Sequence, residues 1–277
     1  MVYIMNTMEI VKDAIRYPLS DWKKIFILGI IIVINAISVF LGSVGAINSN
    51  IIWILTSMGF IIGFLVNGYM FRIVKSSLNG KIELPEFNDW LNMGIDGIKV
   101  FIAFIVYSIP VILVLLSIYM TFPYEKGFFN PFALLINPLI SVISNEILNL
   151  IALLFNIFGY FILPLSYVII IIPIFLVAIA NMAYYEGEFK SAFKIREIIE
   201  EISIMGWINL IKLYVMLITI VLIYIITGNV ITYIFSFVNL NFVDTLVAVL
   251  FYLILTSYFY MILARSVGLF YMPDKED

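Results

Sequence analysis

The sequence predicts an all-α fold: a polytopic transmembrane helix bundle of six spans, with seven as the alternative. Three observations predict it. Of the 277 residues, 64% are hydrophobic and only 12% charged, and the mean hydropathy is +1.14. A soluble domain is about half apolar and about a quarter charged, so this chain has too little polar surface to coat a globule. Several apolar runs exceed the roughly 18 residues that mark a spanning helix. Finally, once those runs are threaded through a bilayer, every Lys and Arg except Lys126 falls on one side.

Residues 5–17 mix Glu9, Lys12, Asp13 and Arg16 among apolar residues, which argues against a signal peptide and for an amphipathic helix. The clear spans follow at about 25–47, 51–73, 98–121, 207–228 and 243–265. Residues 146–185 are harder: about 40 apolar residues would make a helix of ~60 Å against a hydrocarbon core of ~30 Å. Charge decides between one crossing and two. Lys12, Arg16, Lys23 and Lys24 precede the first span; Arg72, Lys75, Lys81 and Lys99 lie between the second and third. Lys190, Lys194, Arg196 and Lys212 follow the long run, and Arg265 and Lys275 close the chain. The positive-inside rule puts these segments on the cytoplasmic face with both termini. An odd number of crossings then separates 122 from 187, and the chain is too short for three. The single crossing falls at about 163–185, bent near Pro164 and Pro173. Residues 132–160 become an outer re-entrant or interfacial helical segment.

A pattern recurs three times. Amphipathic segments at 5–23, 81–99 and 188–206 each lead into a span, with Trp22, Trp90 and Trp207 at the headgroup level. The chain reads as a single integral membrane domain over 1–277, with modules 1–80, 81–187 and 188–277 as possible parallel repeats. In the third segment Phe189, Ala192, Phe193, Ile199 and Ile202 form one helical face, opposite Lys190, Lys194, Glu197, Glu200 and Glu201.

Residues 14–29 (AIRYPLSDWKKIFILG) and 67–101 (NGYMFRIVKSSLNGKIELPEFNDWLNMGIDGIKVF), with ANMAYYEGEFKSAFKIREIIEEISIMGWINLIK later, resemble a membrane family known as domain of unknown function 4013. The shared pattern is Tyr-Pro…Asp-Trp before the first span, Gly-Tyr…Arg ending the second, and Leu-Pro-Glu-Phe…Asp-Trp before the third. The resemblance covers most of the chain outside 122–160. It implies a prokaryotic, mostly archaeal, membrane protein and carries no established activity.

Leu84, Pro85, Glu86, Phe87, Asp89 and Trp90 form the most distinctive polar motif, a candidate cytoplasmic docking surface. They also suit a capped interfacial helix, with Pro85 in its first turn and Glu86 and Asp89 against the positive end of the dipole. Glu83, Glu86, Asp89 and Asp96 could bind only a hard cation, but Pro85 and Gly94 interrupt any single helix carrying them, and a solvated face is the preferred account. Asn35, Asn67 and Ser108 are a candidate intramembrane polar path; the alternative is that they, with Ser38, Thr56, Ser57, Asn181 and Thr256, bond between helices. Gly59 and Gly63 make a GxxxG for close helix packing, within the chain or between copies.

There is no Cys and no His, which removes thiol chemistry, the commonest metal ligand and the Ser-His-Asp triad. We therefore expect no catalytic site, cofactor or metal. The formal net charge of −3 and the lack of long basic runs argue against nucleic acid. Expected partners are membrane lipids, anionic at the inner face of the cytoplasmic membrane; partner proteins and a homo-oligomer stay open. The functional expectation is a non-enzymatic scaffold or lipid-interacting component, with a transporter or channel for a small neutral or lipidic solute as the alternative.

Overall fold

A computed structural model describes residues 7–43, 45, 48–121, 162–236 and 241–271. Expectations for 122–160, the outer segment and the seventh span among them, lie outside these residues. Every regular element among the described residues is helical. Helix α1 (Thr7–Arg16) runs into a 3₁₀ turn (Tyr17–Ser20), then α2 (Trp22–Asn35), α3 (Ile37–Ser43), α4 (Ser49–Leu78) and α5 (Trp90–Thr121). Helix α6 (Leu163–Ser166) passes through a π-helical segment (Tyr167–Ile171) into α7 (Ile172–Tyr184). After a 3₁₀ turn (Phe189–Phe193) come α8 (Ile195–Met205) and α9 (Trp207–Ser236). Last, α10 (Asn241–Leu250) joins α11 (Ser257–Phe270) through a second π segment (Phe251–Thr256).

Among the described residues, five continuous helices are long and apolar enough to cross a bilayer: Ser49–Leu78, Trp90–Leu113, Tyr167–Tyr184, Trp207–Phe235 and Leu246–Phe270. The chain is thus a multi-pass membrane protein. The first expected span, 25–47, is present in two pieces. Helix α2 has 14 residues and α3 has 7, together ~32 Å at ~1.5 Å per residue, enough for a core of ~30 Å. No Pro or Gly causes the break. It falls at Ala36 (φ −94°, ψ 7°), next to Asn35, whose side-chain amide donates to the Gly59 carbonyl at 2.6 Å.

Helix ends follow local chemistry. Asp21 caps α2, accepting from the Lys23 and Lys24 amides at 3.0 and 3.4 Å, and Asn48 caps α4 through the Ile51 amide at 3.0 Å. Helix α4 ends in a Schellman motif: Gly80 (φ +67°) donates to Ser77 O at 3.0 Å and Lys81 to Ser76 O at 3.1 Å. Trp22, Trp90 and Trp207 are the first residues of α2, α5 and α9, as expected.

The amphipathic segments fare unevenly. Helix α1 buries Ile10 and Ala14, and Ala14 packs with Ile220 and Ile262. Helix α8 buries Ile198 and Ile202, whereas Ile199, expected on that face, is 41% exposed. The middle segment corrects the sequence reading. Residues 81–89 are not helical, so Pro85 occupies no first turn and Glu86 precedes the helix; Asp89 (φ +47°) directly precedes Trp90 and accepts the Met93 amide at 3.0 Å through its carbonyl, so its carboxylate does stand at the positive end of α5.

Packing divides the chain into two compact units, Met1–Ile102 with Leu176–Asp277, and Ala103–Phe175. The first is closed by glycines that admit a neighbouring backbone. A Cβ on Gly29 would overlap the Leu253 carbonyl inside the second π segment, one on Gly68 the Met93 carbonyl, and one on Gly97 the Phe64 carbonyl. In the second unit Phe175 packs edge-on against Phe104 and Tyr107.

Candidate functional site

Residues 81–89 form an extended strap across one end of the first unit. An irregular backbone leaves carbonyls without helical partners, and each must find a donor. Side chains from distant helices supply them. Tyr17 donates to Glu83 O at 3.1 Å, Lys24 to Leu84 O at 2.7 Å, and Tyr69 to Pro85 O at 3.1 Å. Arg72 reaches Asn88 O at 2.5 Å and Asp89 O at 2.8 Å. Arg265 donates to Lys81 O at 2.7 Å. Leu84 is buried, and Phe87 stacks on Tyr69 with ring centroids 4.0 Å apart.

Of the predicted docking motif, Leu84, Pro85 and Phe87 therefore serve the fold, while Glu86, Asp89 and Trp90 stay exposed. Glu86 pairs with Lys24 at 2.7 Å, Asp89 accepts from Asn92 and Asp96 from Lys99 at 3.3 Å. These carboxylates answer separate donors and do not converge on a cation.

Arg265 is the keystone. It is 3% exposed, pairs with Asp13 at 2.7 Å, reaches Ser77 Oγ at 3.2 Å and lies 4.4 Å over the Tyr17 ring. Burial pushes the Tyr17 phenol above its ordinary range, and the Arg265 charge opposes that shift. Further contacts join the other connections at this end. Lys75 pairs with Glu186, Lys99 donates to Gly187 O at 2.9 Å, and buried Asn181 bridges Ser191 O (3.0 Å) and the Tyr271 hydroxyl (2.6 Å). The Tyr185 phenol is pushed up to about 12 by its hydrogen bond to Glu197, and the same bond lowers the Glu197 carboxyl. The basic connections thus share one end of the unit, as charge predicted.

Between the last turns of α4 and the strap lies a cleft of about 390 Å³, lined by Arg72, Lys75, Lys81, Asn79, Glu83 and Glu86 among others. Sequence reasoning missed it, because only the fold brings α4 and the strap together.

The proposed polar path separates into local bonds. Asn35 holds Gly59 O, and Gly63 lies against the same Asn35 amide, 2.9 Å from where its Cβ would stand; the GxxxG packs within the chain. Thr56 bonds Ser38 at 3.0 Å. Asn67 sits half-buried on α4. Ser108, in the second unit, bonds Phe104 O at 2.8 Å and the Tyr167 hydroxyl at 2.7 Å. Replacing Asn35 by alanine should lower stability by ~1 kcal/mol, the usual worth of an interhelical bond, as read from unfolding in detergent.

No curated protein and no solved structure matches the chain. Residues 51–236 match the family described as Protein of unknown function (DUF4013). The match takes in the strap, the connection around Asn181, α8 and the stretch 122–160, and begins after the 14–29 segment. Extending over more than half of the chain, and over the two later stretches that carried the resemblance, it places this multi-pass protein in the DUF4013 family.

Proposed function

We propose that the protein is a non-enzymatic, lipid-interacting scaffold of a prokaryotic cytoplasmic membrane, with both termini inside. The carrying observation is the basic end. Lys23, Lys81, Lys190 and Lys194 are exposed on the strap, the neighbouring connection and the start of α2, and Trp22, Trp90 and Trp207 remain 53%, 45% and 46% exposed. Tryptophan favours the headgroup level, and each Lys or Arg near an anionic leaflet adds on the order of 1 kcal/mol of attraction. The engaged amides and hydroxyls of Asn35 and Ser108 fit helix packing better than a solute path.

Two measurements test this reading. Thermal stability should be higher in vesicles containing phosphatidylglycerol than in phosphatidylcholine alone; no difference argues against lipid interaction. Single cysteines at Gly80 and Lys194 should label from the same, cytoplasmic, side, and labelling from opposite sides would sink the topology.

A second reading, carriage of a small neutral or lipidic solute, draws on the broken helices. The α2–α3 break and the Phe251–Thr256 π segment lie on neighbouring spans, since Leu253 packs on Gly29, and discontinuous helices mark the binding sites of many transporters. Solute uptake into reconstituted vesicles would favour it over the scaffold.

A further inference from the structure

We infer that the cleft between α4 and the strap binds a phosphate group, the phosphodiester of a membrane phospholipid being its ligand. The inference rests on the lipid-interacting reading above and names its site. The argument begins with charge. Three cations line the cleft, Arg72, Lys75 and Lys81, with Glu83 and Glu86 as the acids. Glu86 pairs with Lys24, which approaches from α2 and is shared with Asp21 at 3.6 Å, and Lys75 pairs with Glu186. Lys81 and Glu83 offset one another in formal charge. Arg72 is different: its terminal nitrogens meet the carbonyls of Asn88 and Asp89 and the Asn88 side-chain oxygen, all neutral acceptors. Those bonds involve no carboxylate, and the lining itself holds three cations against two acids, a formal excess of one positive charge; a phosphodiester carries one negative charge.

The C-terminal end of a helix ordinarily repels an anion. Here the last α4 carbonyls, Ser76 O and Ser77 O, already accept from the Lys81 and Gly80 amides, which weakens that objection. Asn79 adds a neutral polar group.

Surroundings select the lipid over a free ion. Arg72 stands six residues before the end of α4, ~9 Å along the axis, so the cleft runs from the helix end toward the apolar zone. Beside it Ile82 is 75%, Leu91 78% and Trp90 45% exposed. Such side chains gain by insertion among acyl chains and headgroups; a dissolved anion makes no use of them.

The test is native mass spectrometry of the full chain released from phosphatidylcholine vesicles doped with phosphatidylglycerol. We expect one retained phosphatidylglycerol per chain and none of a phosphate-free glycolipid offered at the same fraction. K81Q keeps the backbone carbonyl that Arg265 holds, so it should melt like the parent, yet lower lipid occupancy about fivefold. K23Q and K190Q, exposed basic sites that do not line the cleft, should leave occupancy unchanged. Equal losses in K23Q and K81Q, or equal retention of the glycolipid, would overturn the site. Stabilisation by phosphatidylglycerol that K81Q leaves untouched also overturns the site, while the lipid-interacting function stands. Saturation by inorganic phosphate with no lipid retained keeps the phosphate site but overturns both the lipid ligand and the function it rests on.

Discussion

Arg265→Ala is expected to destabilise the protein by ~3–5 kcal/mol, the range seen when one member of a buried charged cluster is removed. The residue closes three connections at once. Its guanidinium links α1 through Asp13, the end of α4 through Ser77, and the strap through Lys81 O. Truncation leaves the Lys81 carbonyl without its donor and Asp13 without its counter-ion. Asp13 is 38% exposed at its side chain, so water screens part of that loss. Asp13→Asn should therefore cost only ~1 kcal/mol, near the upper end for exposed pairs. Arg265→Lys should fall between, because a point charge replaces one or two of three directed bonds.

Melting in one detergent orders these variants, and trypsin supplies a second readout. Asp13 and Arg265 are 252 positions apart, so losing the pair frees α1 from the last span. Cleavage at Lys12 or Arg16 should then quicken in Arg265→Ala well below its melting point. A variant melting within ~1 kcal/mol of the parent, with unchanged cleavage, would show that Arg265 is not the keystone.

The elements readable from sequence were those in which local pattern and tertiary role agree. Apolar runs gave the five continuous spans, and each interfacial Trp marked a helix start. The four-residue spacing of Gly59 and Gly63 exposed a close contact that the structure places against Asn35. The strap could not be read this way. Pro85 with two following acids is a sound helix-start pattern, and only donors from elsewhere override it: Tyr17, Lys24 and Arg265 stand 66, 60 and 184 positions from the carbonyls they hold. Positive-inside reasoning placed the basic side chains at one end but directed all of them toward headgroups. Several instead turn inward to satisfy backbone. The Asn35 contact beside the break at Ala36 was hidden for a similar reason, since the Gly59 carbonyl it binds belongs to another helix.

Gly97→Val should cost ~1–3 kcal/mol, the range for overpacking, and tend to the upper end because backbone atoms stand in the way. A Cβ at Gly97 would overlap the Phe64 carbonyl and come within 2.9 Å of Gly68 N, and one at Gly68 would meet the Met93 carbonyl. Helices α4 and α5 therefore touch backbone to backbone, and no rotamer change makes room. Gly42 provides the contrast on α3. Its Cβ would find only the flexible Ile52 Cδ1 at 3.6 Å, and removing a helical glycine gains roughly 0.5–1 kcal/mol. Gly42→Ala should thus be neutral or stabilising and Gly97→Ala destabilising, a difference of sign at two glycines within apolar helices. Gly68→Ala and Gly97→Ala together should cost less than their sum, because the first substitution already opens the shared contact. Additive costs in detergent unfolding would mean that the two glycines serve separate contacts. Because α5 begins at Trp90, directly after Asp89, widening this crossing pulls the strap from Arg72. Gly97→Val should therefore also weaken lipid retention at the cleft, though it touches none of its lining residues.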